Sequence, residues 1–219
     1  MDTHATEDQQ IAALKKWWKS NSGSIVTGII LGLAVLFGTK AWFAWQDKIA
    51  RQASDVYAVM MTALQNGNNQ AVTEKAGVLI ADFSNTPYAA LAALSLARLR
   101  IEDGELDAAA TQLQWVLDNG GTDYVRDTAR LRLARVKLAQ GDPDAAESVL
   151  GNAGSSSAAE ALFSEVRGDI HLARGDRDQA LASYQRALAS MSEDFTGRAL
   201  LQLKYDDLVS STAAAGTAQ

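Results

Sequence analysis

The sequence predicts an all-α protein: a single N-terminal transmembrane helix followed by a solenoid of stacked helical hairpins. Three observations predict it. Twenty uncharged residues separate Lys19 from Lys40, enough at about 1.5 Å per residue to cross the roughly 30 Å of a bilayer's hydrocarbon. Beyond residue 50, apolar side chains recur at helical spacing and strand-like alternation is missing. Finally, a glycine followed by Asp or Glu recurs at Gly104, Gly141 and Gly175, 37 and then 34 residues apart.

The first segment, residues 1–22, is a charged tail that contains the amphipathic stretch "IAALKKWWK". It is expected on the cytoplasmic side, with the amphipathic stretch lying along the membrane surface. Residues 23–45 form the span. Trp17 and Trp18 on one side, and Trp42, Phe43 and Trp45 on the other, provide the aromatic belts that favour the two interfaces. Lys40 can snorkel outward along the helix. A cleaved signal peptide is the rival reading, with Thr39 and Ala41 at the −3 and −1 positions. A long N-region containing acidic groups, and tryptophans crowding that site, argue for the retained anchor. The lysine cluster at Lys15, Lys16 and Lys19 favours a cytoplasmic N-terminus, although Lys48 and Arg51 follow the span. Gly28 and Gly32 form a GxxxG step, which either brings a second helix close or reflects the general abundance of glycine in membrane helices.

The second segment, residues 46–210, is expected to hold about four hairpins and a capping helix. The aligned units are "LSLARLRIEDGELDAAATQLQWVL", "LRLARVKLAQGDPDAAESVL" and "SEVRGDIHLARGDRDQALASYQRAL". A small residue stands seven positions before each glycine (Ala97, Ala134, Gly168) and alanine five after it (Ala109, Ala146, Ala180). Nine after it comes a larger side chain: Leu113, Leu150, Tyr184. Small residues let the two helices of a hairpin approach, and the larger one fills the space toward the next hairpin. One hairpin cannot bury its apolar face alone, whereas a stack can. Upstream, "ALQNGNNQAV" reads as a degenerate first hairpin turning at Gly67, and Asn85-Thr86-Pro87 ends one helix and opens the next. Downstream, "TGRALLQLKYDDLVSS" reads as the capping helix and residues 211–219 as a frayed tail.

The chain has 219 residues, 47% of them hydrophobic, and a formal charge of −6. Residues 1–45 carry one net positive charge, so the remainder is the more acidic part. That balance opposes nucleic-acid binding, which needs basic surface to displace counterions. Cysteine is absent, which excludes disulfides, thiol catalysis and cysteine-ligated zinc. Of the two histidines, His4 lies in the tail and His171 at a position suited to half-buried packing. No metal-binding His-Glu helix motif, phosphate-cradling glycine loop or nucleophile elbow is present. Paired acids such as Glu102-Asp103 and Asp206-Asp207 fall at helix ends and turns, where solvated surface is their ordinary role. No catalytic residue, metal or cofactor is therefore expected.

In a stack of this kind the first helix of each hairpin lines the concave face. Counting back thirteen, ten, six and three residues from each glycine gives three registers. They are Leu91, Leu94, Arg98 and Ile101; Thr128, Leu131, Arg135 and Leu138; and Leu162, Glu165, Asp169 and Leu172. These predict an apolar groove with polar anchors at Arg98 and Arg135, suited to a peptide or partner helix. The competing expectation is that the capping helix around Leu200–Leu208 fills the groove.

The period and the small–Gly–Ala–aromatic pattern resemble the tetratricopeptide repeat; the unit from Gly168 to Leu188 matches well, and the second unit lacks the aromatic. The whole order, from "KKWW" through the span to "YAALAALSLARL", "AAATQLQWVL", "LRLARV", the "RGD…GD" block and "LLQLKYDDL", resembles the ancillary SecYEG translocon subunit (YfgM-like) family of Gram-negative bacteria. That resemblance implies an inner-membrane protein with a periplasmic domain. Its implied partners are the SecYEG translocon and a membrane-anchored periplasmic chaperone of the prolyl-isomerase type, to which exported proteins would be handed. Membrane lipid is the remaining expected contact. Two other functions stay open: a regulator whose N-terminal tail restrains a cytoplasmic signalling protein, and a general envelope-assembly scaffold. Deleting residues 1–20 separates the first of these from the translocon role.

Overall fold

The structure is a computed structural model and is described here for residues 7–151 and 157–216. All its regular elements are helices: α1 (Glu7–Gln65), α2 (Asn69–Asp82), α3 (Pro87–Glu102), α4 (Leu106–Asn119), α5 (Asp123–Ala139), α6 (Pro143–Leu150), α7 (Ser157–Ala173), α8 (Arg177–Ser190) and α9 (Arg198–Gly216). Two compact units divide between Arg51 and Gln52.

The first unit is the N-terminal part of α1. Its Ile, Leu, Val and Phe side chains are exposed all round, from Val26 through Phe37, as befits a helix whose solvent is lipid. The segment "IAALKKWWK" belongs to this same helix, with no break between it and the span. It was expected to lie along the membrane surface; here it runs into the span as one helix. In and just after the polar run "SNSGS", side chains bond to the helix's own carbonyls: Asn21 donates to that of Trp17 at 2.9 Å and Thr27 to that of Gly23 at 2.8 Å. Past the apolar run, the Trp42 and Trp45 rings lie 5.6 Å apart.

The second unit is built from four helix pairs, α1–α2 (using the end of α1), α3–α4, α5–α6 and α7–α8, followed by α9. Each pair turns at a glycine with positive φ: Gly67, Gly104, Gly141 and Gly175, at +67°, +76°, +79° and +84°. All four turns have the same hydrogen bonds. At Gly104 the glycine N–H donates to the Ile101 carbonyl, and the following Glu105 N–H donates to that of Arg100; the other three repeat the pattern. This satisfies carbonyls that a helix end would otherwise leave open, and it requires a left-handed residue. Helix starts are also marked locally. Asn68, Thr122 and Asp142 accept from the backbone N–H three residues on, and Pro87 and Pro143 occupy first-turn positions where a missing N–H costs nothing.

The core is a relay of four apolar clusters. Met60, Val72, Leu79 and Leu96 join α1, α2 and α3. Ala97, Leu113, Val116 and Leu133 join α3, α4 and α5. Leu131, Leu150, Phe163 and Ile170 join α5, α6 and α7, and Ala161, Tyr184, Leu201 and Leu208 join α7, α8 and α9. Each hairpin thus buries one face backward and one forward. All nine residues of the repeat pattern are in this interior, with Gly168 in direct reach of Tyr184: a Cβ there would stand 2.3 Å from the ring. The α9 helix continues to Gly216, six residues past the point where fraying was expected. The run Ala213-Ala214-Ala215 has the highest intrinsic helix propensity available. Residues 217–219 and His4 lie outside the described residues.

Candidate partner-binding groove

The predicted concave residues separate into three groups. Leu94 and Leu131 are buried members of the inter-hairpin clusters, and Leu138 packs half-buried beside the α5–α7 cluster. All three contribute to packing between hairpins, and Leu94 also borders an open cavity on the α3 side. Ile101 and Leu172 remain exposed at 39% and 42%. The charged positions differ along the stack. Arg98 is an exposed guanidinium held by Glu102 at 2.7 Å, one turn further on.

At the third repeat, α9 closes the surface. Lys204 reaches from α9 to Glu165 at 3.1 Å and to Asp169 at 2.8 Å. Arg135 approaches the other oxygen of Glu165 at 3.5 Å. The Tyr184 hydroxyl donates to Asp169 at 2.7 Å, and the Lys204 ammonium lies 5.9 Å from the Tyr184 ring centre. Burial would pull the Lys204 pKa down, but the Asp169 and Glu165 carboxylates outweigh it and the net shift is upward. Burial first, and the Asp169 carboxylate second, drive the Tyr184 phenol well above its ordinary range. Lys204 is therefore protonated and Tyr184 neutral at physiological pH. Glu165 and Asp169 already have an occupant from their own chain, so at this repeat the capping helix fills the groove.

The open part lies at the other end, between the end of α1, α3 and α5. It is a cavity of about 280 Å³ walled by Tyr57, Met61, Leu64 and Leu91, with Ser95, Arg98, Glu102 and Arg132 along its polar side. Tyr57 also packs its ring 5.4 Å from that of Tyr88, which fixes the α1 wall against the start of α3. Arg132 was missed by the reading from sequence. It stands nine residues before Gly141, as Ser95 stands nine before Gly104, so adding that register would have found both. The α1 wall was missed because its hairpin is too degenerate to align.

The remaining candidates are accounted for simply. His171 is half-buried on α7, and its Nδ1 has no hydrogen-bond partner among the described residues. A Cβ at Gly28 or Gly32 would meet nothing within 4 Å in a single copy, so both glycines face outward from the span.

Comparison with known proteins agrees with this architecture. A family described as a tetratricopeptide repeat-like domain matches residues 15–210. The ancillary SecYEG translocon subunit of Escherichia coli K12 is 31% identical over 95% of this chain and 99% of its own length. That of Haemophilus influenzae is 31% identical over 85% and 91%, and that of Neisseria gonorrhoeae 29% over 95% and 100%. A match that runs through both the span and the hairpin stack, at nearly full length on both sides, leaves one assignment: the chain belongs to the ancillary SecYEG translocon subunit family.

Proposed function

We propose that this protein is a membrane-anchored, non-enzymatic interaction protein that works beside the SecYEG translocon and links newly exported proteins to periplasmic chaperones. The relatives' name supports the translocon half of that statement. The helix built around Ile25–Phe37 anchors the chain in the inner membrane as a single pass, with the N-terminus cytoplasmic and the hairpin domain periplasmic.

The observation that carries the reading is the open groove between the end of α1, α3 and α5. It offers apolar wall for a partner's side chains and the exposed arginines Arg98 and Arg132 for its polar groups. Glu165 and Asp169, expected in the same groove, serve instead to dock α9. A groove of this composition suits segments of protein.

Co-purification tests it. Full-length protein carrying Arg98→Glu and Arg132→Glu, both at exposed positions, should retain its helical melting transition yet lose the translocon and the chaperone from detergent-solubilised membranes. Unaltered recovery of both would remove the groove from the mechanism.

A further inference from the structure

The N-terminal part of α1 has a charge pattern that neither the groove nor the hairpin stack uses. Lys15, Lys16 and Lys19 are exposed and fall within about 100° of helical arc at 3.6 residues per turn. Leu14, Trp17 and Trp18, also exposed, occupy a similar arc on the opposite side. Between Asp8 and Asp47 the sequence contains no acidic residue. None of the three lysines has an ion pair or hydrogen bond among the described residues. Like charges three and four residues apart, as at Lys16–Lys19 and Lys15–Lys19, repel and weaken a helix. The counterion for this cluster therefore comes from outside the chain.

Depth indicates which anion it is. The α1 helix runs without a break from Glu7 through the span, so the lysines stand at fixed heights along its axis. The twenty uncharged residues between Lys19 and Lys40 cover about 30 Å, the hydrocarbon thickness. Lys19 then marks one edge of the hydrocarbon, and Lys16 and Lys15 lie about 4.5 Å and 6 Å beyond it. A headgroup layer is about 5–8 Å deep on each side, so all three ammonium groups reach the level of the lipid phosphates. Trp17 and Trp18 lie in that same layer, where indole rings are favoured. At the other edge Lys40 stands alone, and Lys48 is eight residues further out. We propose that Lys15, Lys16 and Lys19 form a binding site for the headgroup of an anionic phospholipid. Their ammonium groups hold the phosphate by charge-assisted hydrogen bonds, while Leu14, Trp17 and Trp18 face the neighbouring lipids on the opposite side of the helix. The net acidity of the rest of the chain leaves this cluster as the part that an anionic leaflet attracts.

Native mass spectrometry of the full-length protein in mild detergent tests the site. Titration with phosphatidylglycerol against phosphatidylcholine of matched chains should show the anionic lipid retained at least about tenfold better, since each lysine at an anionic surface is worth about fivefold in affinity. Lys16→Gln should lower that preference about fivefold. Lys15→Gln, Lys16→Gln and Lys19→Gln together should bring the two lipids to parity. Glutamine matches lysine in helix propensity, so α1 keeps its form in these variants. Lys48→Gln, beyond the headgroup layer, should leave the preference unchanged. Equal retention of the two lipids by the wild type overturns the proposal, as does an undiminished preference in the triple variant or an equal loss in Lys48→Gln. Displacement of the lipid by soluble glycerol phosphate also overturns it, because the ligand would then be a free phosphate. The measurement contains no SecYEG, so its failure leaves the translocon reading standing.

Discussion

Gly168→Ala is the sharpest test of how the stack is held together. Gly168 lies in the interior of α7, where alanine would normally stabilise a helix by about 1 kcal/mol. Here the added Cβ would sit 2.3 Å and 2.4 Å from two Tyr184 ring carbons and 3.1 Å from a third. The ring is fully buried, so it cannot swing into solvent, and its hydroxyl is tied to Asp169 at 2.7 Å. Either α7 and α8 separate or the tyrosine leaves its rotamer and breaks that hydrogen bond. Overpacking of this kind costs about 1–3 kcal/mol, and the lost hydrogen bond adds about 1 kcal/mol. Set against the propensity gain, the net is a destabilisation of about 1–3 kcal/mol. For a domain of this size that lowers Tm by roughly 2–4 °C per kcal/mol. Gly77→Ala on α2 is the matched control, because a Cβ there meets nothing within 4 Å; it should raise Tm. Circular dichroism melts of the full-length protein in detergent read both. If Gly168→Ala melts at or above the wild type, the packing of Gly168 on Tyr184 is not what sets the α7–α8 approach.

Other consequences follow from the same geometry. Gly141→Ala forces a side chain into the left-handed region at φ +79° and should cost about 1–2 kcal/mol, visible as a lower denaturation midpoint. Lys204→Met strands two carboxylates, Glu165 and Asp169. The side chains are only partly buried (32%, 13% and 22% exposed), so the loss should be about 1–2 kcal/mol, below the 3–5 kcal/mol of a fully buried broken pair. Hydrogen exchange should accelerate across α9 and little in α2, and uniform acceleration would count against a local docking role. Tyr184 and Lys204 both have folded-state pKa values raised above their ordinary values of 10.0 and 10.5. The fold holds those protons more tightly than the unfolded chain does. Their contribution is complete below about pH 10 and is lost as pH rises beyond it through the folded values. An alkaline titration of stability should therefore fall off above about pH 10 in the wild type, and more gently in Tyr184→Phe.

Sequence periodicity by itself determined the fold class and the hairpin register. Positive-φ turns need glycine, and glycines 34 to 37 residues apart mark them. The small residues flanking each turn follow from the spacing between packed helices, and a twenty-residue uncharged run follows from bilayer thickness. These are local or strictly periodic constraints, so they are written in one dimension. The division of the concave face was decided only in three dimensions. Arg98 and Glu165 stand within the same predicted surface by counting, yet one faces solvent and the other meets Lys204, thirty-nine residues away. Arg132 joins Arg98 only because α5 packs against α3, and Tyr57 joins them only because the end of α1 forms the first wall. Periodicity encodes which face of a helix is buried, whereas the identity of its cover depends on contacts between distant segments whose order along the chain carries no signal of their meeting.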